Sequence, residues 1–379
     1  MTQTINRPPA TGAWREGDPV GNRLWFVADN GLTLESGERL PGYRLAYETW
    51  GTLAPDGGNA VLIEHALTAD SHVAGPAGPG HPLTGWWDAL IGPGRALDPA
   101  RHFIVAANVL GGCQGSTGPA SRAEDGRPWG SRFPALTIRD QVAAEAALAD
   151  ALGIRTWAGV LGGSMGGMRA LEWAVIHPDR VAALGVIAAP AQSSAEQIAW
   201  SWPQIRAILD DPGWHGGDYH DLPDGAGPHV GLGIARRIAH ITYRSETELV
   251  TRFGRDPQTG EDPLRDGRYT VESYLDHHAE KLVRRFDAAS YVTLVRAMDS
   301  HDIGRNRGGT TEALRRISAK TLVAGVNSDR LYPLAQQIQL AEAIPTAAPA
   351  KVIDSPYGHD AFLLETAQLT PLIAELLNG

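Results

Sequence analysis

The chain has 379 residues, of which 43% are hydrophobic and 20% are charged, and its formal net charge is −10. It is long enough to bury a large core, and its acidic balance argues against a general nucleic-acid or anionic-membrane surface, because both need a basic footprint. Its one cysteine, Cys113, excludes an internal disulfide, and no Cys/His spacing indicates a metal site.

The first half of the chain alternates short apolar segments with segments of helical periodicity. Predicted helices cover residues 138–152 and 165–177, and the predicted strands cover residues 44–49, 60–65, 103–109, 156–161 and 181–188. We expect the first helix to end at Gly153 and the second to be stopped by Pro178. Apolar strands that alternate with helices predict a mostly parallel sheet that is covered on both faces.

This pattern breaks between residues 193 and 305, where the sequence predicts helices and no strand. The predicted helices are residues 195–209, 231–244, 271–286 and 288–298. Strands at 321–326 and 350–353 and a helix at 361–377 then restore the pattern. We therefore predict an α/β core of residues 1–192 and 306–379 with an all-helical lid, residues 193–305, inserted over a site. A separate helical domain without a role in the site is the alternative.

The first residues and the apolar segments of the chain predict the cellular location of the protein. Residues 1–19 are polar and lack the apolar core of a signal peptide. The most apolar stretch, residues 181–191, is far shorter than the roughly 18 residues that a membrane helix needs. We therefore expect a cytoplasmic protein that has no membrane partner and no nucleic-acid partner.

Residues 161–167 read Leu-Gly-Gly-Ser-Met-Gly-Gly and contain the G-x-S-x-G pattern around Ser164. The pattern follows a predicted strand and opens a predicted helix, which is the setting of a nucleophile elbow. On such a turn the serine has strained backbone angles, and its neighbours must be small so that backbones pass closely. We predict Ser164 as a catalytic nucleophile of an α/β-hydrolase fold. Glycine-rich turns without a catalytic role are the alternative.

A serine hydroxyl needs a base, and the base needs a carboxylate that orients it. In this fold the acid and the histidine follow the serine in the chain, on loops after late strands. Asp329 follows the strand predicted at 321–326 and His359 follows the strand predicted at 350–353, so we predict Asp329 as orienter and His359 as base. Turn chemistry at Asp329 and an ordinary loop histidine are the alternatives. The rival histidines, none of which follows a late strand, are His65, His72, His81, His240, His277, His278 and His301.

Acyl transfer also needs hydrogen-bond donors for the oxyanion. One donor is the backbone N–H of Met165, directly after the nucleophile, and the second usually comes from a loop after an early strand. We assign the second to the N–H of Leu67, after the strand predicted at 60–65. The glycine-rich loop 110–118 lacks the ending of a phosphate loop, and we expect its backbone close to the site and Cys113 to be a small buried residue.

Taken together, these motifs resemble the homoserine O-acetyltransferases of the α/β-hydrolase superfamily. The matching segments are residues 65–68, 70–72, 75–80, 85–88, 108–119, 162–167, 235–237, 242–244, 328–333 and 357–360. They span nearly the whole chain and are more specific than a triad pattern. One position departs from the family: Ala69 stands where glycine is more common, a difference of one methyl group.

The resemblance places the family's triad on Ser164, Asp329 and His359, and it implies that Arg236 and Asp360 bind the amino-acid substrate. Homoserine carries a carboxylate and an ammonium, and an arginine fork matches a carboxylate well. Asp360, beside the base, would hold the ammonium. Without the resemblance, a surface arginine and a helix N-cap would be the preferred interpretations of Arg236 and Asp360.

The resemblance further implies transfer of acetyl from acetyl-CoA, a cosubstrate, to the hydroxyl of L-homoserine in methionine biosynthesis, with no bound cofactor or metal. An acetyl-serine intermediate on Ser164 predicts ping-pong kinetics. The lid would form a narrow tunnel over the serine and favour homoserine over water. Members of this family pair through the lid helices, so we expect a homodimer.

The residues leave several alternatives open. A succinyl-CoA donor and a serine acceptor both fit the same machinery. An esterase or thioesterase uses the same triad, because water then takes the second step. A non-catalytic binding protein on this fold is the remaining alternative, and the complete triad argues against it.

Overall fold

The computed structural model describes residues 7–378. The strands in this part of the chain are β1 Leu24–Ala28, β2 Leu32–Thr33, β3 Arg39–Leu40, β4 Tyr43–Trp50, β5 Ala60–Glu64, β6 Phe103–Ala107, β7 Gly159–Gly163, β8 Ala183–Ile187, β9 Lys320–Val326 and β10 Lys351–Ile353. The α-helices are α1 Ile138–Ala151, α2 Met165–Ile176, α3 Ala195–Leu209, α4 His229–Tyr243, α5 Glu246–Phe253, α6 Thr270–Val283, α7 Ala288–Asp299, α8 Thr310–Leu314, α9 Leu334–Ala343, α10 Ala361–Leu364 and α11 Thr366–Asn378.

The main sheet has the strand order β1-β4-β6-β5-β7-β8-β9-β10. β4 is antiparallel to both β1 and β6, and every other pair in this sheet is parallel. This confirms the predicted α/β-hydrolase fold with a mostly parallel sheet. Because β5 and β7 to β10 run in the same direction, the loops after these strands meet at one edge of the sheet.

Buried clusters cover both faces of this sheet. Along β5, Ala60 and Leu62 point into one cluster, while Val61 and Ile63 point into the other. The first cluster includes residues of α1 and α2, and the second includes residues of α11. This arrangement explains why β5 is apolar at consecutive positions rather than at alternate ones.

The predicted helix 195–209 has the bounds of α3, and most other predicted elements differ from the structure only at their ends. The strand predicted at 156–161 lies at Gly159–Gly163 instead, where it pairs with β5 and β8. The prediction ended too early because glycine has a low intrinsic preference for strands. Pairing with two neighbouring strands overrides that preference.

Several elements had no clear sequence signal. Helices α5, α8 and α9 and strands β1, β2 and β3 were not predicted, and the helix predicted at 361–377 is interrupted at Glu365. Helix α5 buries only Glu248, and β1 has no buried residue. Short or mostly exposed elements of this kind lack the apolar periodicity on which the predictions depend.

Between β8 and β9, residues 193–305 contain helices α3 to α7 and no strand. The two ends of this segment meet at the core, where Ser193 N–H donates to the carbonyl of His301 and Ile303 N–H donates to that of Ala191. Helix α4 packs against α3 and α6, and α7 packs against α3. Among residues 7–378, no helix combines the length and apolar character needed to cross a membrane.

Candidate active site

Ser164 lies on the turn between β7 and α2. Its backbone angles are φ 59° and ψ −127°, a conformation that costs a non-glycine residue free energy and is found mainly at functional sites. The turn is tight: a Cβ at Gly166 would lie 2.0 Å from the carbonyl oxygen of Glu64 at the end of β5. The glycine therefore lets α2 begin directly against the neighbouring strand, with Ser164 at its tip.

The structure brings Ser164, Asp329 and His359 together. His359 Nε2 lies 2.9 Å from Ser164 Oγ, and His359 Nδ1 lies 2.7 Å from Asp329 Oδ2. All three side chains are buried, so the chain of hydrogen bonds is shielded from water. The geometry is that of a nucleophile, a base and an orienting carboxylate.

Asp329 is fixed by its own loop after β9. Its Oδ1 accepts hydrogen bonds from the backbone N–H groups of Leu331, at 2.8 Å, and Tyr332, at 2.9 Å, which leaves Oδ2 for His359. His359 lies in the short 3₁₀ helix Gly358–Asp360 after β10. Because β9 and β10 are parallel neighbours, their loops deliver both residues to the same edge of the sheet.

The two residues predicted to supply oxyanion donors lie in one buried cluster that also includes residues of helices α3, α4, α6 and α7. Met165 is the first residue of α2, and Leu67 lies in the loop after β5. Within residues 7–378, neither backbone N–H has a hydrogen-bond acceptor. Free N–H groups of this kind, one of them directly after Ser164 in the chain, suit a charge that develops on a substrate oxygen.

The two residues predicted to bind an amino acid lie on different elements, Arg236 on α4 and Asp360 in the 3₁₀ helix that contains His359. On α4, Arg236 donates to the hydroxyl of Thr68 at 3.3 Å, and its guanidinium lies 5.7 Å from the centroid of the Tyr243 ring. Asp360 forms an ion pair with Arg244, at 3.2 Å. Burial raises the pKa of Asp360, and the positive charge of Arg244 opposes this rise.

Aromatic rings that the sequence analysis did not single out surround His359. The ring centroids of Tyr332, Phe362 and Tyr243 lie 5.1, 5.3 and 5.9 Å from that of His359. Tyr332 and Tyr243 lie within segments that match the family, yet a tyrosine carries no spacing signal of its own. The imidazole of His359 is therefore packed against largely apolar ring surfaces.

A second feature missed from the sequence is an ion cluster behind the elbow. On α2, Arg169 lies 2.7 Å from the carboxylate of Glu145 and 3.0 Å from that of Glu64, and it donates to the carbonyl of His65 at 2.7 Å. The three charged side chains are fully or almost fully buried. Arg169 thus ties α2 to the strand end that precedes the Leu67 loop.

Cys113 is buried, and burial raises the pKa of its thiol, so it stays protonated and is a poor nucleophile. Val109 N–H, just before the glycine-rich loop, donates to His65 Nε2 at 3.0 Å, and Cys113 lies in the same buried cluster as Leu67 and Met165. These contacts place the start of this loop against the segment that carries Leu67, and its expected role close to the site stays a prediction.

Glu48, His72 and His81 form a buried group of metal-ligand type away from the triad. Their ligand atoms lie within 4.8 Å of one another, but the two imidazole rings stack face to face, 3.8 Å apart at 9°. A metal ion binds in the plane of an imidazole, so parallel stacked rings cannot both direct a lone pair at one ion. This geometry favours a hydrogen-bonded cluster, in which His72 contacts Glu48 at 3.1 Å.

A small cavity lies where the loop that carries Leu67 faces helices α3, α4 and α7. A cavity of about 30 Å³ lies between Leu67, Tyr332 and residues of α3, α4 and α7 such as Gln204. A larger cavity, of about 610 Å³, is lined by the N-terminal segment, the β1–β4 region and the glycine-rich loop. No triad residue lines either cavity.

Comparison with known proteins distinguishes between the chemistries that this geometry allows. A family model described as the alpha/beta hydrolase fold matches residues 59–366. A homoserine O-acetyltransferase of Thermobifida fusca (strain YX) is 66% identical over 369 residues, which cover 97% of each chain. A solved homoserine O-acetyltransferase from Bacillus anthracis superposes with a TM-score of 0.85 at 27% identity, over 94% of this chain and 97% of that one.

Esterase E22 superposes equally well, with a TM-score of 0.85 at 26% identity over 94% of this chain and 99% of that one. Shape alone therefore does not separate transferases from esterases. The identity to the transferase sequences, which extends over nearly the whole chain, does. The chain belongs to the homoserine O-acetyltransferase family of the α/β-hydrolase fold.

Proposed function

We propose that this protein transfers an acetyl group from acetyl-CoA to the side-chain hydroxyl of L-homoserine, as a step in methionine biosynthesis. The observation that carries the proposal is the hydrogen-bonded series Asp329–His359–Ser164, with 2.7 and 2.9 Å between its members, in a chain 66% identical to a homoserine O-acetyltransferase. Acetyl-CoA is a cosubstrate in this scheme, and the scheme needs no bound metal or organic cofactor.

In the first half-reaction, His359 Nε2 takes the proton of Ser164 Oγ as the oxygen attacks the thioester carbonyl. The N–H groups of Leu67 and Met165 stabilise the oxyanion, and one such donor is worth about 3–4 kcal/mol of transition-state stabilisation. The intermediate collapses with cleavage of the C–S bond, and His359 returns the proton to the thiolate of CoA. Acetyl-Ser164 remains, and Asp329 stabilises the imidazolium while it exists.

In the second half-reaction, the hydroxyl of homoserine gives its proton to His359 and attacks the acetyl-Ser164 carbonyl. Arg236 supports binding of the substrate carboxylate, since an arginine fork matches that group. Asp360 supports binding of the ammonium. The ester bond to Ser164 breaks, Ser164 recovers its proton from His359, and O-acetylhomoserine leaves.

The test is thiol release from acetyl-CoA and from succinyl-CoA, each with homoserine, with serine and without an amino acid. We expect rapid release from acetyl-CoA that depends on homoserine. A preference for succinyl-CoA or for serine would keep the mechanism and change the substrate. Equal release without any amino acid would make the protein a thioesterase, and no release together with no labelling of Ser164 by a fluorophosphonate would indicate a non-catalytic protein.

We also propose that residues 193–305 act as the lid and that two chains pair through it. Helices α3 and α4 pack together, and each exposes an apolar pair one turn apart: Ile198 with Trp202, and Val230 with Ile234. Val230 is 70% exposed and Trp202 57%, which is unusual for such side chains unless a partner covers them. The cytoplasmic location stays a prediction.

Pairing through this face predicts that a charge placed there separates the chains. We expect the wild type to sediment as a dimer and Val230→Glu to sediment as a monomer with an unchanged circular dichroism spectrum. Val250→Glu, on exposed α5, is the matched control, since Val250 is 63% exposed and lies outside the α3–α4 face. A monomeric wild type, or dimers in both variants, would contradict the proposed interface.

A further inference from the structure

We propose that Arg244 is a positioning residue for the second half-reaction: it holds the Asp360 carboxylate ready for the amino group of homoserine and keeps it from pairing with Arg236. The inference rests on the proposed function, in which Arg236 and Asp360 hold the two ends of the amino acid. Arg244 itself touches neither Ser164 nor His359 through any hydrogen bond or ion pair of the described residues.

The loop that carries Asp360 is held against the corner between α4 and α5. A Cβ at Gly358 would lie 2.7 Å from the carbonyl oxygen of Tyr243 and 2.8 Å from the backbone nitrogen of Ser245. The hydroxyl of Ser245 also donates to the carbonyl of Pro356 in the same loop. The backbone of Arg244, between Tyr243 and Ser245, is therefore fixed relative to Asp360.

Arg244 links two carboxylates at this corner. Its Nη2 lies 3.2 Å from Asp360 Oδ2, and its Nη1 lies 3.6 Å from Glu248 Oε1. The side chains of Arg244, Asp360 and Glu248 are only 11%, 16% and 5% exposed. Removing one partner from a desolvated ion pair leaves the other charge poorly solvated, so Asp360 depends on Arg244.

Arg236, two turns earlier on α4, has the opposite surroundings. No carboxylate oxygen of residues 7–378 lies within 4.0 Å of its guanidinium, and its Nε is buried without a partner. Its positive charge also lowers the pKa of Asp360, by less than the charge of Arg244 does. Arg236 is thus the cation to which Asp360 would turn if Arg244 were absent.

Loss of Arg244 would therefore change Asp360 in one of two ways, and either change removes recognition of the amino group of homoserine. Asp360 either pairs with Arg236, which also occupies the carboxylate site, or takes up a proton because burial already favours its neutral form. In the wild type, Arg244 holds the Asp360 anion apart from the Arg236 cation, which has no carboxylate partner among residues 7–378. This is the charge pattern that an α-amino acid needs and that a simple hydroxy acid does not.

The experiment compares homoserine with 4-hydroxybutyrate, which has the same carboxylate and hydroxyl but no amino group. In Arg244→Gln we expect kcat/KM for homoserine to fall at least about tenfold, the effect of losing one charge-assisted contact, and the preference for homoserine over 4-hydroxybutyrate to fall by a similar factor. Acetylation of Ser164 by acetyl-CoA alone, followed by intact mass, should stay within about threefold of wild type.

Arg252→Gln is the matched control, because Arg252 contacts Glu248 at 3.4 Å but makes no contact with Asp360. It should leave the homoserine preference unchanged. Arg244→Lys keeps a charge but loses the fork, and it should retain an intermediate preference. In an Asp360→Asn background, Arg244→Gln should add less than about threefold, since residues that act through one another are not additive.

The inference would be overturned if Arg244→Gln slowed Ser164 acetylation as much as it slowed transfer to homoserine. It would also be overturned if the variant kept the wild-type preference for homoserine over 4-hydroxybutyrate. Additive effects in the Asp360→Asn background would do the same. These outcomes differ from failure of the proposed function, which would show in the wild type as CoA release that does not depend on homoserine.

Discussion

Replacing Ser164 with alanine should abolish homoserine-dependent release of CoA, with a loss of about 10⁴- to 10⁶-fold in kcat. The alanine has no oxygen to attack the thioester, and water held by the remaining groups is a far weaker nucleophile. Wild-type protein mixed with acetyl-CoA alone should gain the mass of one acetyl group, and Ser164→Ala should not. Intact mass spectrometry and thiol release together check both statements.

Asp329→Asn tests the orientation of His359 by a different route. The amide oxygen can keep the backbone hydrogen bonds from Leu331 and Tyr332, which turns its NH₂ group toward His359 Nδ1. Nδ1 must then accept, so the proton moves to Nε2, which no longer accepts the proton of Ser164. We expect a loss of about 10⁴-fold in kcat with little change in stability.

Ser300→Ala is the matched control for Ser164→Ala, because the Ser300 hydroxyl makes only a local hydrogen bond to the carbonyl of Ala297 at the end of α7. It should keep wild-type activity. If Ser164→Ala retained homoserine-dependent release, the covalent mechanism would be wrong, and the series Asp329–His359–Ser164 would need another explanation.

Arg169→Met should cost about 3–5 kcal/mol in the free energy of unfolding, the range expected when one member of a buried ion cluster is removed. Glu64 and Glu145 would lose the cation that lies 3.0 and 2.7 Å from them, with almost no exposure to water. The carbonyl of His65 would lose its donor as well. Urea unfolding of the wild type and the variant measures the difference.

The pH dependence of this variant has a defined sign. Burial already raises the pKa of Glu64, and Arg169→Met removes the positive charge that most opposes this rise, so Glu64 should be protonated in the folded state of the variant. Unfolding then releases that proton at neutral pH, which means that the variant loses stability as the pH rises. Stability that increases with pH over the same range would contradict this account.

Two further variants separate charge from packing. Arg315→Met removes an exposed ion pair with Glu312 and should change stability by less than about 0.5 kcal/mol. Adding Glu64→Gln and Glu145→Gln to Arg169→Met replaces both buried carboxyl groups with neutral amides and should recover part of the loss. If the free energy of unfolding of Arg169→Met lay within about 1 kcal/mol of the wild-type value, the ion cluster would not stabilise the turn that carries Ser164 as we describe.

Much of the candidate site was predictable because its residues lie in a recognisable glycine-rich turn and directly after strands. Ser164 was found from the glycines of its turn, and Asp329 and His359 from the strands that precede them. Parallel strands place their following loops at one edge, so chain order alone predicts that these side chains converge. The roles of Leu67, Arg236 and Asp360 in binding stay predictions, which the experiments above address.

The sequence could not show contacts between residues that lie far apart in the chain, because such contacts leave no repeating pattern. Arg169 meets Glu64 and Glu145 across separations of more than 20 residues, and Arg244 meets Asp360 across more than 100. An arginine or a glutamate in a sequence is usually a solvated surface residue, so its burial is visible only once the helices have packed.

The sequence by itself therefore determined the fold class and the convergence of Ser164, His359 and Asp329, because the glycine-rich turn and the order of the parallel strands impose those positions. The tertiary structure alone decided which charges are paired and which stay free. Ion pairing depends on distances of 3–4 Å and on the exclusion of water, and both are set by how α2 and α4 pack against the rest of the chain.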